Sequence, residues 1–491
     1  MNQEYFFKSK KTFDEKAGIF VHHHGAGTHP TVNINNYKEY IGTELDLVQQ
    51  IGYKHIAVPF THVISEDSEF VLTLQYLVSE ALSRDLTVMV IAQGTQTKLT
   101  EEEIEVNATA YLNNIVKFVK KNTGRGIIYE GINEPNSNNW YGQNNMGGYR
   151  KAMLWNNRLK RAIKSFDESA TFVEAVLDTK FGIPLIQEGL VDKRAYALHP
   201  YIDGIGDKGG NTPEKKLLNP TYSISYDGSK FAATEFGIAV EGSGIDPESN
   251  WQGLVTPEEG AALTVRQMII HDALGVPMQY NFILGYLYVF HQYQYFDLNQ
   301  KIQPVGAAVQ NALQTLKGFY FNRWIWTDVG KHKTYIAEYV KDDKTRYVYW
   351  NADSAASSIS IAGKNYEVTS APQYTDDDLS SIKTYIVQTP VGLKSIDISE
   401  IKVNQIAPLQ LPEVTGYQHN EVNFRIDEAG KINLSEDIIY KSAKPKGLSV
   451  KARDLTGDFV PKLKSPDGSV WWQSIDNAGK VNWTKNQGTI L

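Results

Sequence analysis

From residue 17 to residue 284, short apolar runs rich in β-branched residues alternate with longer stretches whose apolar residues fall three and four apart. The runs are AGIFVHH (17–23), KHIAVPF (54–60), LTVMVIAQ (86–93), GIIYEGIN (126–133), TFVEAVLD (171–178), RAYALHPY (194–201), KFAATEF (230–236) and PMQYNFIL (277–284). The first texture is that of buried strands and the second that of amphipathic helices. Their alternation predicts an α/β protein with a parallel sheet, because parallel neighbours need a crossover between them, usually a helix.

The helical stretches have recognisable ends. Thr100 and Glu103 have capping-box spacing ahead of IEVNATAYLNNIVKFVKKNTG, and Gly124 supplies the stop. Thr256, Pro257 and Glu259 give an N-cap, a first-turn proline and an N3 acid before GAALTVRQMIIHDALG. YKEYIGTELDLVQQIG and FVLTLQYLVSEALSRD carry helical spacing, and PVGAAVQNALQTLKGF closes the series. Eight strands, mostly each followed by a helix, make the pattern of a (β/α)8 barrel. A doubly wound open sheet would give the same alternation.

After Phe319 the runs become short and alternating (KTYIAEYV, TRYVYW, SSISIAG, KTYIVQT), which reads as an antiparallel β-sandwich. Beyond about residue 400 a Pro-containing link, NQIAPLQLPEVTGY, leads to further strand-like pieces. The predicted organisation of the 491 residues is a TIM barrel over 1–318, a β-sandwich over 319–399 and a small C-terminal β-rich module over 400–491.

Charge narrows the partners. A net charge of -7 argues against a nucleic-acid ligand, which needs a concentrated Lys/Arg surplus. The apolar window 268–290 is long enough for a bilayer, but His271, Asp272, Gln279, Asn281 and a Gly-Val-Pro break interrupt it, so it reads as a helix end, a turn and a buried strand. No membrane partner is expected. Residues 1–16 lack the apolar run of a signal peptide, which points to a cytoplasmic protein or one released with virions by lysis. With no Cys there is neither disulfide nor thiolate chemistry.

In a parallel barrel, functional groups collect where strands run into their C-terminal loops. Glu134, in GIIYEGINEPN, stands at the end of the fourth strand and Glu235, in FAATEFG, at the end of the seventh. Two carboxyls facing each other across a mouth are what cleavage of a glycosidic bond requires: one protonates the leaving oxygen and the other supports or attacks the anomeric carbon. Pro135 would end the strand and hold Asn133 and Glu134 at its rim. Glu130 shares strand parity with Glu134 one layer deeper and reads as a buried scaffold carboxylate.

GINEPN followed three strands later by ATEFG resembles glycoside hydrolase clan A, the retaining (β/α)8 glycosidases, most of all its families 39 and 5. The resemblance covers residues 17 to 318. It implies Glu134 as acid/base, Glu235 as nucleophile, and Asn133 as donor to the sugar 2-hydroxyl. An acid working near neutral pH needs a raised pKa while the nucleophile stays ionised. Clan members often keep a His or aromatic residue after the sixth strand that hydrogen-bonds the nucleophile, and ALHPY offers His199 and Tyr201, with Tyr201 the better candidate. The Arg often found on the second strand and the Trp often found after the eighth are missing from IAVPF and QYNFILG.

Other candidates follow from position. Tyr280 and Asn281, on the eighth strand, are possible sugar contacts, and so is Gln93 after the third. His22 and His24 share one face of the first strand. With His29 nearby they invite a metal reading, but no carboxylate completes a ligand set, so sugar hydroxyls are the expected partners and no metal or other cofactor is implied. Trp140, Tyr141, Trp251 and Tyr286 lie in aromatic loops that can stack on sugar faces. The expected partner is thus a polysaccharide or oligosaccharide, with oligomeric state open. The alternative is a carbohydrate-binding phage tail protein or depolymerase, since SPDGSVWWQSIDNAGKVNWTKN resembles terminal β segments of phage tail proteins.

Overall fold

The computed structural model describes residues 11–21 and 32–379 with internal gaps, the longer ones being 61–68, 93–99, 135–145, 177–195, 219–230, 243–250 and 286–290, together with separate strands from 384 onward. It falls into two compact units, Met1–Ile382 and Lys383–Leu491.

The first unit is built on eight parallel strands: β1 (Ala17–Phe20), β2 (His55–Phe60), β3 (Thr87–Ala92), β4 (Ile128–Glu130), β5 (Thr171–Val176), β6 (Tyr196–Leu198), β7 (Phe231–Phe236) and β8 (Gln279–Asn281). They pair in chain order, and β8 closes on β1 with Gly18 opposite both His55 and Tyr280. Closure removes the open sheet from consideration, because an open sheet would leave two strands with one neighbour each.

Helices α1 (Tyr37–Ile51), α2 (Glu69–Ser83), α3 (Phe118–Thr123), α4 (Met146–Phe166), α5 (Pro257–Ala273) and α6 (Pro304–Thr315) follow β1, β2, β3, β4, β7 and β8. A short helix, Pro213–Leu217, follows β6. At the start of α5 the Thr256 hydroxyl accepts from the Glu259 amide at 3.2 Å, the cap read from the sequence. Glu103 and Gly124, assigned to the ends of the earlier helix, lie outside the described residues. The window 268–290 passes from α5 through a turn at Gly275 into β8. Among the described residues no helix is long and apolar enough to cross a membrane.

Strand alternation fills the barrel. Phe20, Ala57, Met89, Ile128, Ala197 and Met278 belong to one buried cluster that also holds the Tyr280 ring. That ring occupies the space a side chain on Gly18 would need: a Cβ there would lie 2.5 Å from Tyr280 and 2.9 Å from His55. Glycine is the residue that fits.

Within the same unit, β9 (Tyr320–Val329), β10 (His332–Lys341), β11 (Lys344–Asn351) and β14 (Gln373–Thr375) form an antiparallel sheet, while β12 (Ser357–Ile361) and β13 (Lys364–Val368) form a hairpin. Tyr366 and Val368 of the hairpin share a core with Ile325, Ile336, Tyr347 and Tyr349 of the sheet. A second layer is thus present in part. Arg266 of α5 ties barrel to sheet: its guanidinium pairs with both carboxylate oxygens of Glu214, Trp350 donates its ring N–H to Glu214 at 2.8 Å, and all three are buried.

The second unit contains a hairpin, β15 (Thr384–Thr389) with β16 (Gly392–Asp397), and two small three-stranded sheets. One joins β17 (Phe424–Ile426), β18 (Ile432–Leu434) and β19 (Leu448–Val450); the other joins β20 (Lys462–Lys464), β21 (Val470–Ile475) and β22 (Val481–Lys485).

Candidate active site

Three departures from regular strand geometry bring the site together at the barrel mouth. The first is after β4. Gly131 still donates to Val173 of β5 at 3.1 Å, but the next amide, of Ile132, turns to the side chain of buried Asn156 in α4 at 3.3 Å. The strand therefore ends at Glu130, not at the Asn133–Pro135 boundary expected from sequence, and Pro135 lies outside the described residues. Glu134 follows with φ 43°, in the left-handed region. For a residue with a side chain this costs about 1–3 kcal/mol, a strain found where function requires a particular aim.

A bulge in β7 is the second. Ala233 faces Gln279 and Phe236 faces Asn281, so three steps on β7 match two on β8. A regular strand would send Thr234 and Glu235 to opposite faces. The extra residue lets both turn inward, as bulges beside active sites do. Thr234 donates to Glu130 at 2.8 Å, and Glu235 accepts from the Tyr201 hydroxyl at 2.7 Å.

The third is the chain leaving β6. His199 and Tyr201 keep the inward parity of Ala197, and each takes one carboxylate. His199 Nδ1 lies 2.8 Å from Glu134 Oε1, while Nε2 of the same ring is 3.9 Å from Glu235 Oε2. The imidazole thus stands between two acids that come from distant parts of the chain. Donor atoms of Glu134, His199 and Glu235 all lie within 4.8 Å of one another. Protonated, the His199 ring places one positive charge between the two carboxylates.

Electrostatics follow from this crowding. Burial alone would lower the His199 pKa, but Glu235, then Glu134 and Glu130, raise it to about 9. Burial pushes Glu235 above the ordinary carboxylate range, with the His199 charge and the Tyr201 O–H acting against it. Glu235 is the more enclosed acid, its side chain 13% exposed against 34% for Glu134, and its two partners offset part of what burial does to its charge. Glu130 is fully buried, and burial raises its pKa to about 7 against the opposing pull of His199 and Thr234.

Around the pair, Tyr201 packs edge-on against Trp251 at 5.6 Å and against Tyr293 at 6.0 Å. Trp251 is 59% exposed, an apolar ring presented to solvent beside the acids. Tyr293, in the turn His291–Tyr293 after β8, is buried, and the charge of Glu235 adds to the burial that raises its pKa. Sequence reading passed over it, although the aromatic density of HQYQYF was a signal. Asn133 is half-buried, directly before Glu134, with its Oδ1 unpaired.

Tyr280 and Asn281 do not reach the mouth. Tyr280 is buried inside the barrel against Gly18 and His55, and Asn281, of opposite parity, accepts from Tyr53 at 2.9 Å. Both are withdrawn as sugar contacts, because neither has surface to offer. His22, His24, Gln93, Trp140, Tyr141 and Tyr286 lie outside the described residues.

No family model matches the sequence, and no curated protein matches it. Among solved structures the chain is similar to a family 39 glycoside hydrolase from the gut symbiont Bacteroides cellulosilyticus WH2, at 15% identity and TM-score 0.52, covering 74% of this chain and 81% of that one. It is also similar to an endo-β1,6-glucanase, at 12% identity and TM-score 0.47 over 74% and 91% of the two chains. A third likeness is to a GH30 endoxylanase from Clostridium papyrosolvens C71, at 14% identity and TM-score 0.43 over 75% and 95%. Of the three, the first has a TM-score above one-half, and it bears on the fold: an eight-stranded parallel barrel shared with a glycoside hydrolase.

Proposed function

We propose that this protein is a retaining glycoside hydrolase acting on a poly- or oligosaccharide, with Glu235 as nucleophile and Glu134 as acid/base. One observation carries the reading: one oxygen of Glu134 and one of Glu235 lie within 4.8 Å of each other across the barrel mouth, a close approach in keeping with a retaining pair. Carboxyls about 5 Å apart leave no room for a water beneath the anomeric carbon, so the second carboxylate attacks it directly; pairs that invert stand about 6.5 Å or more apart. The fold shared with a family 39 glycoside hydrolase supports a carbohydrate substrate.

The roles divide by access. Glu134, the more exposed acid, gives its proton to the glycosidic oxygen as Glu235 attacks the anomeric carbon and the carbon–oxygen bond to the leaving group breaks. Water then enters on the side of Glu134, which takes back a proton as the hydroxide equivalent displaces Glu235 and the sugar leaves with its original configuration. Tyr201 aims the Glu235 carboxylate through its 2.7 Å hydrogen bond. His199, 2.8 Å from Glu134, holds or shares the proton that Glu134 delivers. Asn133 is the candidate donor to the 2-hydroxyl, and the open face of Trp251 is the candidate platform for a sugar ring.

Proton NMR of the first product released from a panel of polysaccharides tests the proposal. A product of the same anomeric configuration as the bond cleaved is expected. An inverted first product would sink the mechanism, and no reducing ends from any substrate would sink the activity.

A further inference from the structure

The reaction as described uses Glu134, Glu235 and their two partners and leaves Glu130 idle. Its placement is unusual for a scaffold group. Glu130 is fully buried; Oε1 accepts from Thr234 at 2.8 Å, and Oε2 is buried with no hydrogen bond. A buried carboxylate is costly unless a charge or a full set of donors meets it.

Glu130 is faced by His199 from just beyond β6, Glu235 from β7, Glu134 from beyond β4 and the Tyr280 hydroxyl from β8. Tyr280 in turn stands against His55 of β2. The interior residues of β3 and β5, Met89, Ile91 and Val173, are apolar. Among these described neighbours the one cation is the His199 ring, and that charge is conditional on pH. Three carboxyls from two strands and a turn therefore lean on one imidazole.

We propose that Glu130 is a positioning residue of the site, a buried carboxyl that governs the charge His199 presents to Glu134 and Glu235. The catalytic part of this inference rests on the glycosidase reading; the link from Glu130 to His199 does not. An ionised Glu130 stabilises the imidazolium, so the proton shared by His199 and Glu134 stays to higher pH. A neutral group in its place releases that proton sooner. Because the two groups share one proton, the midpoint belongs to the pair.

The test is an NMR pH titration of the His199 imidazole, assigned by comparison with His199→Gln, in the wild type and in Glu130→Gln. Glutamine keeps the acceptor for Thr234 and removes the ionisable group. The His199 midpoint is expected to fall by about 1 pH unit. The alkaline limb of kcat/KM is expected to move to lower pH with it. Thr234→Val is the second variant: without its donor Glu130 holds its proton to higher pH, and a smaller shift of His199 in the same direction is expected.

A Glu130→Gln protein that melts at lower temperature yet leaves the His199 midpoint in place would show a structural carboxylate and overturn the proposal. If Glu130→Gln does not fold, an unmoved midpoint in Thr234→Val overturns it instead. A wild type that cleaves no glycoside would remove the glycosidase reading, while the NMR shift would still decide the link between Glu130 and His199.

Discussion

Tyr201 and Glu235 are joined by a 2.7 Å hydrogen bond in which the phenol donates and the carboxylate accepts. Burial raises the Glu235 pKa and this bond opposes the rise. In Tyr201→Phe the opposing donor is gone, Glu235 keeps its proton to higher pH, and the acid limb of the pH–rate profile is expected to move upward. At neutral pH kcat/KM should fall by roughly 10- to 10³-fold, the range for loss of one donor aimed at a reacting charge. A profile of kcat/KM from acid to alkaline pH checks both.

Substitution of the acids separates their roles. Glu235→Gln is expected to abolish turnover while oligosaccharide binding, measured by calorimetry, persists. Glu134→Gln should lose about 10²- to 10⁴-fold on natural linkages. Its loss should shrink on aryl glycosides whose leaving groups need no proton. Equal losses on both substrate types would remove Glu134 as the acid.

Trp251 offers an aromatic face without being part of the core. Trp251→Ala is expected to raise KM for an oligosaccharide by about 3- to 10-fold. Its melting temperature should be nearly unchanged. Steady-state kinetics on oligosaccharides of increasing length would locate the ring along the groove.

The Glu214–Arg266 pair carries a stability prediction with a sign. Burial would raise the Glu214 pKa, but Arg266 outweighs it and the folded value lies below the ordinary one. Stability from this group is therefore present above the unfolded carboxyl range and is lost as pH falls through the folded value. Glu214→Gln should flatten the acid side of a melting-temperature curve. Arg266→Met, which strands a buried carboxylate, should cost about 3–5 kcal/mol by denaturant titration. The doubly substituted protein should recover part of that loss.

Gly18→Ala tests barrel packing. Its Cβ would meet the Tyr280 ring at 2.5 Å, and both sit between closing strands. A loss of about 1–3 kcal/mol is expected from overpacking. Gly18→Ala combined with Tyr280→Leu should recover some of it in thermal melts.

The barrel was legible because hydrophobic period is local: all eight runs became the eight strands, and the Thr256 cap formed as spelled. That Glu134, Glu235, His199 and Tyr201 would meet at one mouth was legible because all four stand at or just after strand ends. What sequence could not give was aim. Alternation counts residues two by two, so it ran the fourth strand on to Asn133 although the Ile132 amide had already turned to Asn156, and it had no means to see the offset in β7. Tyr280 and Asn281 illustrate the same point: both lie on the eighth strand, but one faces the barrel interior and the other pairs with Tyr53 on the opposite side, and both are fully buried.

The offset in β7 has a consequence for how this chain can change over generations. Because Thr234 and Glu235 occupy neighbouring inward positions by virtue of one surplus residue, a single-codon deletion within that strand would swing the carboxylate toward the helices even with every residue type intact. The seventh strand is therefore bound by its spacing as firmly as by the identity of its inward residues.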